Sequence, residues 1–347
     1  MRKYLKRFGY AGLILFSVAT VVFWLFSFSF PSPEEILVTD RTDEATLDAI
    51  KKDLSLDKPK WQQYVLFMND ISPISIYNKQ TEISTRYIKT LPIGNNTLVL
   101  KYPWLRRSFQ TGQATSQLIQ DAFKGTFVLA LASILIASII GIVLGVIASV
   151  KQGSWIDQSV LFLSTIGISV PSFFSAIVLS WLFGHVLSDI TGLNLSGSLY
   201  EVDPFKGRVL ALKNLVLPAL ALGIRPLAII TQLTRNAMLD TLKQDYIRTA
   251  KAKGLSSRTI YFRHALKAAM NPVITSISGW FASLLAGAFF VEFIFNWRGL
   301  GSLTIHALET SDLPVIMGCI VFIAALFVVM NMLVDVLYRL LDPRIQK

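Results

Sequence analysis

Arg225 is the clearest candidate in this sequence for a charged residue with a chemical role. It interrupts an apolar stretch and stands beside Pro226. An arginine near the middle of a bilayer costs about 2.5–3.5 kcal/mol on insertion scales, so we expect it to face water or a polar partner. Two interpretations stay open. The guanidinium lines a water-filled path and binds a carboxylate there, or it pairs with carbonyls freed by Pro226 or with a carboxylate of a second subunit.

Other candidate groups are scattered along the chain. Glu292 is predicted to end an apolar helix, where it either holds an outer gate against Arg298 or an external protein, or lies exposed at the membrane interface. Pro171 removes an amide donor and predicts a helix kink that either flanks a path or is only structural. The histidines are dispersed and the chain has one cysteine, so neither a metal site nor an internal disulfide is predicted.

The sequence also lacks the constellations that catalysis requires. It contains no GxxxxGK[ST] phosphate-binding loop. Its apolar stretches carry no visible Ser–His pair, paired aspartates or metal ligands of the kind an intramembrane enzyme would need. We therefore predict a protein that is not an enzyme and that holds no cofactor.

The long apolar runs determine the fold class. The 347 residues are 53% hydrophobic and 16% charged, whereas a soluble domain usually carries about a quarter charged residues. Five runs longer than 20 residues contain no acidic or basic side chain, and a membrane-spanning helix needs about 20 apolar residues. We therefore predict an all-α integral membrane protein, rather than a soluble protein with buried helices. Its six transmembrane helices are expected at roughly 10–30, 125–149, 159–186, 215–234, 273–294 and 315–338.

The net charge of +11 follows this topology rather than indicating a nucleic-acid surface. Basic residues concentrate in the segments that are cytoplasmic when the N-terminus is cytoplasmic, whereas the short outer loops carry only Lys206, Arg208, Lys213 and Arg298. This is the positive-inside distribution of membrane proteins. Both termini are therefore expected in the cytoplasm, with no nucleic-acid partner.

The first two parts of the chain differ in their surroundings. Residues 1–30 comprise the N-terminal tail and the first helix, which we interpret as an uncleaved anchor because its apolar run exceeds the signal-peptide core of about 7–15 residues. Residues 31–121 form a large extracytoplasmic segment. We expect short amphipathic helices broken at Pro59, loops or short strands at 72–102, and another amphipathic helix at 103–122.

The third part, residues 122–347, is the core domain with helices two to six. In helix two, Gly141 and Gly145 lie four positions apart. This spacing permits close approach of another helix, but glycine is also common in membrane helices, and both interpretations stay open.

The cytoplasmic segment 235–270 is the most informative stretch of the core domain. A loop that only joins two helices usually has about 2–8 residues, and this one is several times longer. Its apolar spacing, Gly254 and the capping residues Ser256 and Ser257 predict a helix, a glycine turn and a second helix. Such a basic hairpin either contacts lipid headgroups or docks to a soluble partner through exposed apolar positions.

This segment resembles the EAA loop of ABC importer permeases, in the form found in the dipeptide, oligopeptide and nickel permease family. The loop's glycine matches Gly254, and its Glu-Ala-Ala triplet falls on Arg248, Thr249 and Ala250, so two of its three residues depart from the pattern. Further matches follow in order over most of the chain. They include Asp245, Leu255 and His264 in the same segment, and Asp157, Pro171, Glu292, Gly299 and Gly301 elsewhere.

The resemblance implies that the hairpin is a coupling helix that sits in a groove of an ATP-hydrolysing subunit. The implied coupling residues are Asp245, Arg248, Thr249, Ala250, Gly254, Leu255 and His264. It also implies a second, homologous permease subunit, two cytoplasmic ATP-binding subunits and an extracytoplasmic solute-binding protein. The chain itself is expected among the lipids of the cell inner membrane.

We therefore predict the membrane-spanning permease subunit of an ATP-driven importer of peptides or similar small solutes. The alternative is a secondary transporter driven by an ion gradient. Such a carrier usually needs several intramembrane carboxylates for proton or cation coupling, and only Arg225 is clearly central among the predicted helices, which disfavours this alternative.

Overall fold

The computed structural model describes residues 2–29, 58–78, 87–93 and 96–341, and most of these residues are helical. The α-helices are, in chain order, α1 (Arg2–Ser29), α2 (Lys60–Ile71), α3 (Thr115–Val150), α4 (Trp155–Ser169), α5 (Ser172–Trp181), α6 (Ser188–Thr191), α7 (Lys213–Leu242), α8 (Asp245–Ala252), α9 (Ser257–Thr259), α10 (Leu266–Gly287), α11 (Phe289–Ile294), α12 (Leu300–Glu309) and α13 (Leu313–Leu341). Two π-helical turns, Leu182–Val186 and Ile260–Ala265, follow α5 and precede α10.

Most described residues are helical, as the all-α prediction expects, and two small antiparallel sheets accompany the helices. The first contains β1 (Ile74–Asn78), β2 (Tyr87–Ile93) and β3 (Asn96–Lys101) in the order β1-β3-β2. The second pairs β4 (Tyr200–Asp203) with β5 (Gly207–Leu210). The first sheet lies in the stretch where short strands were an expected alternative, because β-branched and aromatic residues favour extended backbone.

The predicted helix at 103–122 is wrong in its first half, because α3 begins only at Thr115. The preceding residues form a turn in which Arg107 pairs with Ala114 in an isolated β-bridge. Gly112, at φ +67°, has the left-handed backbone that such a turn needs. The other predicted helix beside Pro59 is confirmed as α2, whereas residues 43–57 lie outside the described part.

Four helices among the described residues are long and apolar enough to cross a membrane: Gly9–Ser29, α3, α7 and Leu313–Val336. The stretch from α4 to Val186 passes the same test but is bent by 107°, so it counts as a fifth span only if the bent pair crosses once. Of the six predicted helices, four or five thus meet this test. Helix α10 does not, because polar residues such as Asn271, Thr275 and Ser276 interrupt its apolar run.

The break between α4 and α5 lies at the predicted proline kink. Val170 is extended, with φ −76° and ψ 127°, as the ring of a following proline requires. Pro171 then forms the N-cap of α5. The predicted kink is therefore a complete interruption, and the single helix expected at 159–186 consists of two helices and a π-helical turn.

Helix α7 lies at the centre of the larger compact unit, which comprises residues 121–305 and 326–347. In the most apolar 18-residue stretch of α7, 61% is buried, whereas the corresponding stretch of α3 is 33% buried. A Cβ atom at Gly145 would lie 2.6 Å from Thr234 Cβ, and one at Gly141 would lie 3.0 Å from the Leu227 carbonyl oxygen. The close-approach interpretation of these two glycines is therefore confirmed.

The second unit comprises residues 1–120 and 306–325. Here α1 and α2 meet through aromatic rings, with the centroids of Phe23 and Tyr64 5.4 Å apart and those of Phe23 and Phe67 5.5 Å apart. Asp312 accepts hydrogen bonds from Ser108 Oγ at 2.5 Å and from the Phe109 amide at 3.0 Å. These contacts tie the turn before α3 to the residues before α13.

Candidate functional site

The segment 235–270 forms a helical hairpin at the end of α7. After α7 ends, Gln244 is extended and α8 begins at Asp245. Gly254 then adopts a φ of +73°, a left-handed conformation that glycine reaches without steric cost. Ser256 caps α9 by accepting a hydrogen bond from the Thr259 amide at 3.3 Å. The predicted helix, glycine turn and capped second helix are confirmed.

The inner face of the hairpin is apolar and packed. Ile247, Ala250, Ile260 and Ala265 are buried in one cluster, which is completed by Val146 of α3, Met238 of α7 and Ala269 of α10. Side chains buried in such a cluster move together, because protein interiors are close-packed. The hairpin is therefore a rigid extension of the helices that carry it, rather than a free loop.

The outer face of the hairpin combines exposed apolar and basic side chains. Tyr246, Leu255 and Phe262 are 47%, 40% and 58% exposed. The exposed basic residues around them are Arg248, Lys251, Lys253, Arg258 and Arg263. Exposed apolar side chains among basic ones are a feature of protein–protein and membrane contact sites.

The seven predicted coupling residues do not all lie on this outer face. Five of them are exposed: Asp245, Arg248, Thr249, Gly254 and Leu255. His264 is half-buried, and Ala250 belongs to the buried cluster instead. The ion pair between Arg248 and Asp245 spans 3.5 Å between two exposed side chains, and such surface pairs contribute little stability.

Arg225 lies on α7, far from the hairpin. Between Leu217 and Arg235, a stretch that the structure describes throughout, it is the one exposed residue. Its guanidinium carbon lies 6.0 Å from the centroid of the Trp280 ring of α10, at the outer limit of a cation–π contact. Pro171, at the start of α5, is also exposed.

Glu292 lies in a closed corner formed by α11, the following turn and α12, where it is fully buried. Its carboxylate accepts hydrogen bonds from Thr126 Oγ at 2.6 Å and from the backbone amides of Gly301 and Ser302 at 2.7 and 3.2 Å. Thr126 Oγ in turn accepts a bond from the Leu300 amide at 2.8 Å. The carboxylate and the threonine thereby satisfy the free amides at the start of α12.

This geometry corrects the expectation that Glu292 is an exposed carboxylate or a partner of Arg298. Arg298 is exposed, whereas the Glu292 carboxylate has three hydrogen-bond donors from other residues. The turn between α11 and α12 is held further by Trp297, whose indole donates to the Gly125 carbonyl at 3.0 Å. We name Thr126, Glu292, the turn 295–299 and the first residues of α12, 300–302, the outer corner.

Sequence reasoning missed one further polar contact, between Asp157 of α4 and Arg235 of α7. Two hydrogen bonds join the carboxylate to the guanidinium, at 2.5 and 2.7 Å. The side chains are 3% and 15% exposed. A hint was present in the sequence, because Ser154 before the helix predicts an N-cap and Asp157 falls in the first turn of α4, but nothing in the spacing named Arg235 as its partner.

Comparison with known proteins identifies the family. Residues 141–347 match the family model described as "Binding-protein-dependent transport system inner membrane component", and residues 1–130 match the model of its N-terminal region. The chain belongs to this family of transport permeases. The family assignment confirms the expected permease of an ATP-driven importer in the inner membrane, over the alternative of an ion-gradient-driven carrier.

The permease is similar to curated relatives along almost its whole length. It is 33% identical to the di/tripeptide transport system permease protein of Pseudomonas aeruginosa, over 98% of this chain and 97% of the relative. It is 33% identical to the dipeptide transport system permease protein of Bacillus subtilis, over 99% and 98% of the two chains. The dipeptide permease of Haemophilus influenzae is 40% identical over 69% of this chain and 76% of its own length.

A solved structure shares the fold of the permease. The methionine ABC transporter MetNI, in an inward-facing conformation, matches with a TM-score of 0.51 and 16% identity, over 65% of this chain and 97% of the other. At this identity the likeness concerns the fold alone. It agrees with the assignment as an ABC permease.

Proposed function

We propose that this permease imports peptides through a complex with a second, homologous permease subunit, two cytoplasmic ATP-binding subunits and an extracytoplasmic solute-binding protein. The relatives described above are peptide permeases by name, which supports peptides as the substrate. The observation that carries the proposal is the hairpin, whose buried inner face is fixed to the helices while its outer face remains exposed. That division is what a docking element for a soluble motor requires.

The proposed topology places the hairpin in the cytoplasm. Six spans with cytoplasmic termini and an extracytoplasmic segment at 31–121 are supported by the distribution of basic residues, which concentrate around 235–270. In this arrangement α8 is the coupling helix. Closure of the two ATPases displaces it, and the packed cluster passes the displacement to α3, α7 and α10.

Arg225 and Pro171 are proposed to line the translocation path. The exposed position of Arg225 supports this role, because a guanidinium in lipid is costly, whereas the same group in a water-filled path is solvated. Trp280 beside it offers an aromatic face. Arg225 would bind the terminal carboxylate of a peptide, since the planar guanidinium matches a carboxylate through two parallel hydrogen bonds.

Glu292 is proposed to act at the outer gate by fixing the outer corner, rather than by pairing with Arg298. Its three hydrogen bonds support a fixed position for the start of α12. A gate needs one rigid side against which the other moves.

The proposal is tested by uptake into proteoliposomes that contain the whole complex. We expect labelled dipeptides to accumulate only when ATP and the binding protein are present. Accumulation that follows a proton gradient without ATP would contradict the proposal and support the secondary-transporter alternative.

A substrate comparison tests the path residue. Arg225→Gln should lower the uptake of a dipeptide with a free carboxylate by about tenfold or more, since one charge-assisted contact contributes about 1.5–3 kcal/mol. It should leave the C-terminally amidated dipeptide nearly unaffected, and Arg225→Lys should restore part of the loss. An equal change for both substrates would show that Arg225 has a structural role instead.

A further inference from the structure

The contact between Asp157 and Arg235 is mostly buried and is held by several hydrogen bonds, which distinguishes it from a surface ion pair. The Asp157 carboxylate accepts two hydrogen bonds from the guanidinium, through Nε at 2.5 Å and Nη2 at 2.7 Å. A third comes from the Gly153 amide at 2.9 Å. Gly153 can present that amide because it adopts a φ of +77°. Both charges and the turn before α4 are therefore locked in one geometry.

The position of this pair sets it apart from the other ion pairs among the described residues. Asp157 lies in the first turn of α4, and Arg235 lies two turns before the end of α7, where the hairpin begins. Nearer the bend, α4 and α7 also touch at Gly167, where an added Cβ would lie 3.2 Å from Ala228 Cβ. The pair thus clamps the start of α4 to the part of α7 that carries the hairpin.

Stability alone does not explain a buried pair of this kind. The cost of removing both charges from water offsets most of their attraction, and well-packed apolar replacements are often equally stable. The pair fixes the relative orientation of α4 and α7, because two parallel hydrogen bonds fix the angle between the planar carboxylate and the planar guanidinium. An apolar contact at the same place would let the helices slide.

We propose that Asp157 and Arg235 are positioning residues that transmit movement of the cytoplasmic hairpin to α4, and through α4 to the bend at Pro171. This inference rests on the proposed function, since it needs an ATPase that moves the hairpin. In this proposal neither residue contacts the ATPase or the substrate. The hairpin cluster fixes α8 to α7, the ion pair fixes α7 to α4, and α4 ends at the 107° bend.

The experiment measures the number of peptides transported per ATP hydrolysed in proteoliposomes with the whole complex. Three variants are compared: Asp157→Asn, Arg235→Lys and the apolar double variant Asp157→Leu with Arg235→Met. Mutations along a coupling network can change the coupling free energy by about 0.5–2 kcal/mol. We therefore expect the number of peptides transported per ATP to fall about threefold to thirtyfold. ATP hydrolysis itself should continue, because the hairpin surface is intact.

The ratio separates transmission from mere stability. A variant that only lowers the amount of folded complex lowers transport and hydrolysis together and leaves their ratio unchanged. Arg235→Lys keeps the charge but loses the paired geometry, so it is informative even if the apolar double variant fails to assemble. An unchanged ratio in assembled Arg235→Lys complexes would overturn the inference.

A matched control comes from an exposed ion pair on α3. Lys124 Nζ lies 2.9 Å from Asp121 Oδ1, and the two side chains are 75% and 67% exposed. The double variant Asp121→Asn with Lys124→Gln should leave the ratio at its wild-type value, and a fall as large as that in Arg235→Lys would also overturn the inference. If the wild-type complex transports no peptide, the proposed function fails before the ion pair is tested.

Discussion

The outer corner and the hairpin both follow a helix of the core domain, but the outer corner buries its polar groups and the hairpin exposes them. In the outer corner, the Glu292 carboxylate is fully buried and accepts three hydrogen bonds. On the hairpin, Asp245 and Arg248 are 95% and 76% exposed and meet only at 3.5 Å. The polar groups of the outer corner are satisfied by other groups of the same chain, whereas those of the hairpin are exposed on its surface.

The glycines of the two regions show the same difference. A Cβ at Gly299 would overlap the Glu292 carboxylate, and one at Gly301 would overlap Phe289. Gly254 has nothing within 4 Å of the corresponding position, and its constraint is the left-handed backbone alone. Burial therefore governs the corner, whereas the hairpin turn is governed by backbone conformation. Substitutions in the two regions should separate loss of stability from loss of coupling.

The largest effect on stability is expected from Glu292→Ala. It leaves the Gly301 and Ser302 amides and the Thr126 hydroxyl without their acceptor, and each buried unsatisfied group costs about 1–3 kcal/mol. The total loss should therefore be about 3 kcal/mol or more, measured as a lower Tm of the detergent-solubilised complex. Glu292→Gln keeps one acceptor oxygen and should lose clearly less, and equal losses for the two variants would contradict this account of the corner.

The next effect is expected from Gly299→Ala. The added methyl group meets the buried carboxylate, and overpacking of this kind costs about 1–3 kcal/mol. The matched control is Gly254→Ala, which meets open space and costs only about 1–2 kcal/mol of backbone strain. A thermal shift that is larger for Gly254→Ala than for Gly299→Ala would break the comparison between the two regions.

The smallest effect on stability but the greatest effect on coupling is expected from Gly254→Trp. The side chain points into open space, so membrane insertion should be retained with the same backbone strain of about 1–2 kcal/mol. The ring would nevertheless occupy the surface on which the ATPase is proposed to dock. We expect uptake and its coupling to ATP hydrolysis to be lost. Gly254→Ala serves as the control, and wild-type uptake in Gly254→Trp would refute the coupling role.

Several features could be predicted because they depend on neighbours in sequence. The hairpin follows from the glycine at 254, the serine cap at 256 and apolar spacing, all of which act within a few residues. The break at Pro171 follows from the steric effect of the ring on Val170, although the full 107° bend was underestimated as a kink. The family resemblance rested on the same local motifs.

Other features were predicted less well because they depend on distant segments. The expectation for Glu292 considered Arg298, six positions away, whereas the decisive side chain is Thr126 on another helix. The strands β1 to β3 need pairing across the segment as well as propensity. Ala250 was assigned to the docking surface by its place in the motif, but the rotation of α8 buries it.

By itself, the sequence determined that this chain enters a membrane and that it carries a long ordered hairpin between two of its helices. Those properties follow from the length of uncharged runs and from local backbone preferences, which need no knowledge of the packing. Only the tertiary structure decided the pairing of Asp157 with Arg235 and the closure of the outer corner around Glu292. Such pairings depend on which helix faces meet, and a buried charge is compatible with the fold only where another segment supplies its hydrogen-bond partners.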